Sequence, residues 1–410
     1  MADAIAALHS NGAGSQRTIA RTNQMAAALG TSARVELGWD QSTLTLGDSP
    51  SDVRTDLVPA RPAGIGMNRV LGVDKAINQL SAGRLTLSEA MSAVERAVAL
   101  PPPNIFLFAA ACAVGACSLA IILGVEHWQA VVVIAISSAA GAFLRRGIAR
   151  LGGSNFWQVG FAALLAGLLG AVAINLGFSS TLRLVAVCPC MILVPGPHLL
   201  NGSLDLAALR ISLGFDRLVF AFLTLLSIGV GLVVGLWLGG AGLIVDPAGR
   251  EISIGLDVVT AGVVAICYGV FYSAPLRILY WPFLVGAAVH AIRWVALNEW
   301  HLESYVGAGL ACLVAGAVLI PVSHRFQVPF SAIGFASVVS LMPGALVFRS
   351  LSELAQLQSA TGAQAISLLV ASVNDANAAL LTVLAMALGF IVPATIYSTV
   401  GGRRRQGARP

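Results

Sequence analysis

The apolar positions of this chain fall into two regimes. Up to about Leu100 they recur singly or in pairs among polar residues, whereas from Ile105 to Val400 the sequence is a nearly continuous apolar tract with short interruptions. In the first regime, residues 3 to 29 carry a helix-like pattern, with Ile19, Met25, Ala26 and Leu29 among small and polar positions before Gly30. Arg34 to Trp39 and Ser42 to Leu46 alternate apolar and polar side chains, punctuated by Gly38, Gly47 and Asp48, and this period predicts two short strands. Two helices follow, over about Gly66 to Leu80 and Thr86 to Ala99, the second opened by Thr86 and Glu89 at the spacing of a capping box. Pro101, Pro102 and Pro103 then end the region. The pattern predicts a small α/β domain over residues 1–100.

In the second regime the unit of length is the bilayer, which a helix crosses with about twenty residues. Ten candidate spans result: Ile105–Val125, Trp128–Leu144, Phe156–Leu176, Leu182–Val194, Leu218–Leu243, Val258–Ser273, Ile278–Ile292, Val306–Val322, Phe330–Leu346 and one within Ile366–Pro393. The fourth and ninth are short and end alike, in "MILVPGPHLLNG" (191–202) and "VSLMPGALVFRS" (339–350). Pro195 and Pro343 stand 148 residues apart, and the same offset carries the first span onto the start of the sixth. The membrane body therefore reads as two five-span halves, 101–245 and 246–400, followed by a basic tail, 401–410. Because five is odd, the halves face opposite ways, an inverted repeat of the kind found in secondary transporters, where paired Gly/Pro-interrupted segments mark the binding site. The fold class is a mainly α membrane protein with about ten transmembrane helices in two inverted five-helix repeats, preceded by a small α/β soluble domain.

Composition sharpens this picture. Of 410 residues 57% are hydrophobic and only 10% charged, with mean hydropathy +0.84, against roughly a quarter charged in soluble domains. The net charge of +5 lies largely in arginines beside apolar runs, with no basic stripe interleaved with aromatics, so nucleic acid is not an expected partner. The first 29 residues lack the basic end and uninterrupted apolar core of a signal peptide, which places the front domain in the cytoplasm. The cytoplasmic loops and tail then carry Arg145, Arg146, Arg150, Arg210, Arg217, Arg277, Arg325, Arg403, Arg404 and Arg405, against Arg183, Arg250, Arg293 and Arg349 opposite. This is the bias of a positive-inside topology with both termini cytoplasmic.

Candidate chemistry gathers at the breaks. Broken backbone at membrane depth survives only where it is buried in protein or lines a water-filled cavity. Pro197 suits a first helical turn, after which Leu200, Leu204 and Ile211 would share one face and Asn201 and Asp205 a neighbouring polar one. Free N–H groups of such a half-helix, with Arg349 from the other half, would attract a carboxylate, while Asp205 would take an ammonium group or a coupling proton. The alternative is a cytoplasmic amphipathic loop with solvated charges. In "AISLLVASVNDANAALLTVLAMALGFIV" (365–392), Asn374, Asp375 and Asn377 interrupt an apolar tract, either as a functional polar site with Asp375 a second proton candidate or as a loop between two pieces. Substrate-contacting candidates are thus Pro195, Gly196, Asn201, Asp205, Pro343, Gly344 and Arg349.

Other features carry less. "CPC" at 188–190 resembles the thiol pair of copper-pumping ATPases, but no loop is long enough for their catalytic domains and no phosphate loop is present, so no metal site and no cofactor are expected. All six cysteines lie in apolar runs and read as small apolar residues. Gly160, Gly167 and Gly170, like Gly229, Gly231 and Gly235, permit close helix packing. His9 and Asp74 read as structural. The front domain shows no catalytic pair and reads as a regulatory or assembly domain.

The motifs resemble those of the threonine/serine exporter family of bacterial transporters. That family's apolar segment ending in Val-Pro-Gly, a Leu-Ile-Asn-like element, an Asp, then a Gly and an Arg are matched by Val194-Pro195-Gly196, Leu199-Leu200-Asn201, Asp205, Gly214 and Arg217. A second hallmark is met by Pro343, Gly344 and Arg349, and the front's Gly-Ala pair with a following Arg by Gly12, Ala13 and Arg17. His198 departs from the bulkier apolar residue of the pattern, and Asn374 and Asp375 match no family motif. In some relatives the halves are separate chains, so this chain is similar to the fused form, over about His9 to Val400.

The resemblance implies export of threonine and serine across the bacterial inner membrane, driven by the proton motive force, with the lipid bilayer, a small amino acid and protons as partners and homo-oligomerisation left open. Competing readings keep the carrier but change its cargo to a small dicarboxylate such as succinate, or make the chain a channel or a membrane enzyme. The last lacks a nucleophile and base.

Overall fold

The computed structural model describes residues 1–47, 53–178, 184–241, 252–326 and 328–406. Asp48, Arg183 and Arg250 and the expected span ends Leu182 and Leu243 lie outside the described residues. The N-terminal domain runs α1 (Ala2–Ser10), α2 (Ser15–Ala28), β1 (Ala33–Glu36), β2 (Gln41–Leu46), β3 (Arg54–Pro59), α3 (Met67–Ser81) and α4 (Leu87–Val98). The single helix expected over 3–29 is two helices. The Asn11 side-chain amide donates to the Ala7 carbonyl at 2.7 Å, closing the last turn of α1, and Gly12 turns the chain at φ +87, a conformation that costs glycine little.

The sheet is an antiparallel meander, β1-β2-β3, with Ser42 opposite Val58 and Leu44 opposite Asp56. Two strands were legible as alternation and the third was not, because β3 exposes Leu57 beside charged Asp56 and buries Val58 alone. Val35, Leu44 and Val58 pack on Ile5 of α1, while Leu8, Met25, Val70, Val73, Ile77 and Val94 fill a second core between the four helices. The Thr86/Glu89 capping box forms as the spacing predicts: the Glu89 carboxylate accepts from the Thr86 N–H at 2.8 Å and Thr86 Oγ1 from the Glu89 N–H at 3.3 Å. Asp74, 2% exposed, is clasped by Arg17 at 2.6 Å and Arg21 at 2.7 Å.

The membrane body follows as α5 (Ile105–Ile122), α6 (Trp128–Arg150), α7 (Asn155–Asn175), α8 (Leu184–Met191), α9 (Gly196–Ala207), α10 (Ile211–Leu238), α11 (Ile254–Phe271), α12 (Tyr280–Asn298), α13 (Ser304–Phe326), α14 (Phe330–Val338) with a 3-10 turn Val339–Leu341, α15 (Gly344–Leu357) and α16 (Gly362–Gln406). Eight of these helices are long and apolar enough to cross a membrane. Two bent pairs, α8/α9 at 54° and the segment ending at Leu341 with α15 at 49°, raise the number of crossings to as many as ten. The chain is a multi-pass membrane protein. Three expectations need correction. The helix α16 continues through Asn374, Asp375 and Asn377, so no loop interrupts it there. It also runs on to Gln406, so residues 401–406 extend a helix instead of forming a separate tail. Ile211 opens α10 and does not continue the face of α9.

The packing repeats with the element order. In the first half α7 lies along α10, α5 along α6 and α9 along α10; in the second, α13 lies along α16, α11 along α12 and α15 along α16. The two halves join where α5 packs on α11. Glycines set the closest of these approaches. A Cβ at Gly231 would fall on the Gly160 carbonyl oxygen, and one at Gly167 would stand 2.5 Å from the Leu232 carbonyl oxygen. Backbone-to-backbone contact of this kind is how membrane helices associate without a hydrophobic driving force.

The N-terminal domain is fastened to this body head to tail. The first N–H groups of α3, at Met67 and Asn68, donate to the Tyr272 and Ser273 carbonyls just past the C-terminus of α11, at 2.9 and 3.0 Å. Each helix end thereby satisfies the orphan groups of the other, with dipoles aligned. Arg145 stacks its guanidinium 5.0 Å from the Phe271 ring centroid and Arg146 donates to the Pro103 carbonyl, so the ends of α6 and α11 and the start of α5 share the face that carries the domain.

Gly231→Val would force α7 and α10 apart. We expect it to lower the stability of the detergent-purified protein by about 3 kcal/mol or more, read as a fall in thermal midpoint, while Gly147→Val, on α6 with open space around its missing Cβ, loses far less.

Candidate functional site

Each bent pair turns on a proline with nearly the same backbone: φ −81, ψ 54 at Pro195 and φ −80, ψ 44 at Pro343. Both are inverse γ-turns, closed by Gly196 N–H to the Val194 carbonyl at 2.9 Å and Gly344 N–H to the Met342 carbonyl at 2.8 Å. The Met191 carbonyl, which accepts the Val194 N–H at 3.2 Å, also accepts from the Tyr268 hydroxyl of α11 at 2.8 Å. The structure brings the two breaks together. A Cβ on Gly196 would touch Met342 at 3.6 Å, and one on Gly344 would touch Val194 at 3.1 Å. With α9 beside α14 and α15 beside α8, the pairs cross antiparallel, and their polar continuations diverge toward opposite faces.

The sequence raised free N–H groups at the start of α9 as a carboxylate site. The structure removes them: the Gly196 N–H closes the turn, Pro197 has none, and the His198 and Leu199 N–H groups bond the Pro195 carbonyl. An anion at this end must be met by side chains instead.

Those side chains surround Asp205, 3% exposed at the end of α9. Its carboxylate accepts from Ser15 Oγ of the N-terminal domain at 2.9 Å and from Arg210 at 3.3 Å, and lies 3.4 Å from Arg217 Nε. Arg217 is 1% exposed, and its Nε and Nη2 have no hydrogen-bond partner. The close fit of α9 on α10 that places it depends on two glycines, since a Cβ at Gly214 would stand 2.9 Å from the Gly202 carbonyl oxygen. Between the helices, Leu209 holds a left-handed φ of 59, while the Arg210 N–H returns to the Asp205 carbonyl at 2.9 Å. A branched side chain there stores strain next to the charged cluster. Asn201, 5% exposed, abuts Gly14, and His198 packs edge-on to Phe220, which Trp39 also touches. His9 bonds the Gly38 carbonyl through Nε2 at 3.0 Å. Its burial, aided by the Arg217 charge, pushes its imidazole from an ordinary 6.5 down to about 4.

A second cluster lies beyond the second break. Arg349 of α15 pairs with Asp375 of α16 at 3.0 Å, and Ser350 bonds Ser372. Glu353, 2% exposed, has neither carboxylate oxygen hydrogen-bonded. Asn374 and Asn377 are exposed on the outer side of α16 and do not join this cluster. The structure therefore separates what the sequence treated as one site: Asn201 and Asp205 belong to one cluster, Arg349 and Asp375 to another. Glu353 was missed, although the 148-residue offset that aligns the prolines carries Asp205 onto it. Arg217 was read only as a loop arginine and through a family pattern, and Ser15 left no signal. Cys188 and Cys190 are both fully buried in α8, and all six cysteines are free.

Two crossed, broken helices, each leading to a cluster of charged side chains, define a polytopic membrane protein. The chain belongs to the threonine/serine exporter family, a family of transporters and not of enzymes. Residues 2–239 match the family model described as putative threonine/serine exporter, and residues 257–396 match one described as threonine/serine exporter, ThrE. A protein of Mycobacterium tuberculosis (strain ATCC 25618 / H37Rv) described as a probable threonine/serine exporter is 25% identical over 328 residues, covering 75% of this chain. This chain spans 60% of that relative's length. No solved structure matches the chain.

Two outcomes follow from the charges. With its folded pKa depressed, His9 stays neutral in the native state while the unfolded chain takes up a proton. Its contribution is thus present above about pH 6.5 and lost as pH falls toward 4, by up to about 3 kcal/mol. The thermal midpoint should drop across that window and drop less in His9→Asn. At the other pair, Asp205→Leu leaves Arg217 buried without its acid and should cost about 3 kcal/mol or more, most of it recovered in the Asp205→Leu/Arg217→Met double variant, as measured by thermal unfolding.

Proposed function

We propose that this chain is a secondary transporter that exports threonine and serine from the cytoplasm by alternating access, in exchange for protons. The observation that carries the reading is the crossing of two Pro-Gly breaks with a buried charged cluster at each end. In this reading the halves are inverted repeats, the N-terminal domain and both termini are cytoplasmic, and the protein resides in the bacterial inner membrane. The element order and helix pairing, which repeat between the halves, support the architecture. The family match and the relative's printed description support the cargo.

The chemistry of the Asp205 cluster suits a hydroxylated zwitterion. Arg217 offers its Nη2, which has no hydrogen-bond partner, to an α-carboxylate, a charge-assisted contact. Asp205 accepts a serine hydroxyl at 2.9 Å from Ser15, the contact a substrate's own hydroxyl or ammonium group would make once the domain moves aside. Substrate released toward the opposite face passes the crossing and meets Arg349, Glu353 and Asp375. The coupling proton resides on a carboxylate of the path, Asp205 or Asp375, because an ion carried through hydrocarbon depth must be neutralised there. A dicarboxylate cargo is disfavoured by this arrangement, since a buried acid stands in each cluster.

The test is threonine movement in proteoliposomes with and without an imposed pH gradient, comparing wild type with Asp205→Asn. Gradient-dependent threonine flux that falls at least about tenfold in the variant and resists competition by succinate is the expected result. Succinate flux in place of threonine flux would retain the carrier and overturn its cargo.

A further inference from the structure

Three polar side chains outside both clusters form a continuous hydrogen-bonded chain within the second half. Asp257 stands in the first turn of α11, and both its carboxylate oxygens lie 3.1 Å from Nδ1 of His290 on α12. The other ring nitrogen, Nε2, lies 2.8 Å from Oγ of Ser340. His290 is fully buried and Asp257 is 4% exposed. Ser340 sits in the 3-10 turn Val339–Leu341, three residues before Pro343. An ionised carboxylate only accepts, so the Nδ1–H donates to Asp257, and Nε2 is left to accept from the Ser340 hydroxyl.

We propose that the Asp257–His290–Ser340 chain is a reversible proton-binding site that sets the state of the second break. This rests on the carrier reading above and gives that carrier a proton seat distinct from Asp205 and Asp375. A proton arriving at Nε2 converts the imidazole to imidazolium, so the site passes from net −1 to neutral as an Asp257–His290 ion pair. Nε2 then donates to Ser340 Oγ in place of accepting from it, and the hydroxyl proton must turn to another acceptor. Because Ser340 lies in the last turn before Pro343, the change of hydrogen-bond direction is delivered to the hinge.

Its surroundings favour such a switch. Of the elements packed on α12, α11 brings Asp257, α14 carries no titratable side chain, and the 3-10 turn Leu276–Ile278 carries Arg277 more than three turns before His290, while Ser340 reaches His290 from the turn before Pro343. From α13, Ser304 bonds Arg293, which sits one turn beyond His290 and whose charge acts on Asp257. That cation supports the carboxylate when the histidine is neutral. Asp257 lies near the end of its span that faces away from the N-terminal domain and Ser340 lies at the crossing, so the chain leads from the far face to the centre.

The same atoms in the same order activate a serine in hydrolases, and the experiment separates that alternative. In proteoliposomes, His290→Gln and Asp257→Asn should retain threonine exchange at equal pH within about threefold while losing at least about tenfold of gradient-driven accumulation. Ser340→Ala should lose several-fold and Ser340→Thr restore it. Unchanged gradient-driven accumulation in His290→Gln overturns the proposal, as does covalent labelling of Ser340 by a fluorophosphonate. A second readout does not depend on cargo. In detergent, the 15N-histidine signal lost in His290→Gln should change with pH in wild type and shift in Asp257→Asn. If wild type moves no threonine but this signal titrates, the cargo reading fails and the proton site stands. If the signal does not titrate, the proton site fails whatever the cargo.

Discussion

A chain that breaks its helix at membrane depth must hide the break, because each backbone group left facing lipid costs several kcal/mol. This protein meets the constraint twice, and much of its architecture follows. The γ-turns at Pro195 and Pro343 use the first N–H after each proline, Tyr268 takes up the Met191 carbonyl, and each Gly after the proline lets the opposite break lie directly on it. The fit is tight at Gly344, where a Cβ would stand 3.1 Å from Val194. The two halves are therefore mutual lids, and the packing of α5 on α11 keeps them in register.

Covering the breaks with each other has an electrostatic consequence. The half-helices α9 and α15 diverge from the crossing, so their polar ends cannot share one cluster. The end nearer the N-terminal domain gathers two arginines, Arg210 and Arg217, around one acid. The other gathers two acids, Asp375 and Glu353, around Arg349. Opposite excess at the two clusters suits the zwitterionic cargo proposed above better than one bearing either charge alone. Buried pairs of this kind contribute little net stability, since desolvation offsets attraction. The proposed passage of substrate between them gives their presence a reason.

Legibility in the sequence followed the strength of the local physics. Spans, breaks and the capping box were readable because hydropathy, a Pro-Gly dipeptide and a Thr/Glu spacing act within a few residues. The break between α1 and α2 was missed because one side-chain bond from Asn11 and a left-handed Gly12 made it, without a change in apolar period. Strand β3 was missed because its ladder with β2, more than its own alternation, holds it. The polar clusters were half read. Asp205 and Arg349 stood out beside the breaks, whereas Glu353 needed the repeat to be followed three residues further than the motif. His290 sits alone in an apolar run, and its partners come from 33 residues before and 50 after. Only the fold assembles them.

The N-terminal domain, which looked separable by composition, is bound to both halves at once. Ser15 reaches Asp205 and Trp39 reaches Phe220 in the first half, while Met67 and Asn68 cap the end of α11 and Arg17 meets the Val328 carbonyl in the second. Hydrogen bonds of this sort contribute about 1 kcal/mol each, or about 2 where a charge takes part, so the set amounts to a few kcal/mol. Moving a two-state equilibrium from one form to the other takes about 5 kcal/mol. A domain holding both halves with that order of energy does not merely decorate the membrane body. In the alternating-access reading proposed above, rotation of one half against the other must break one side of its grip, and the docking of the domain becomes a term in that equilibrium.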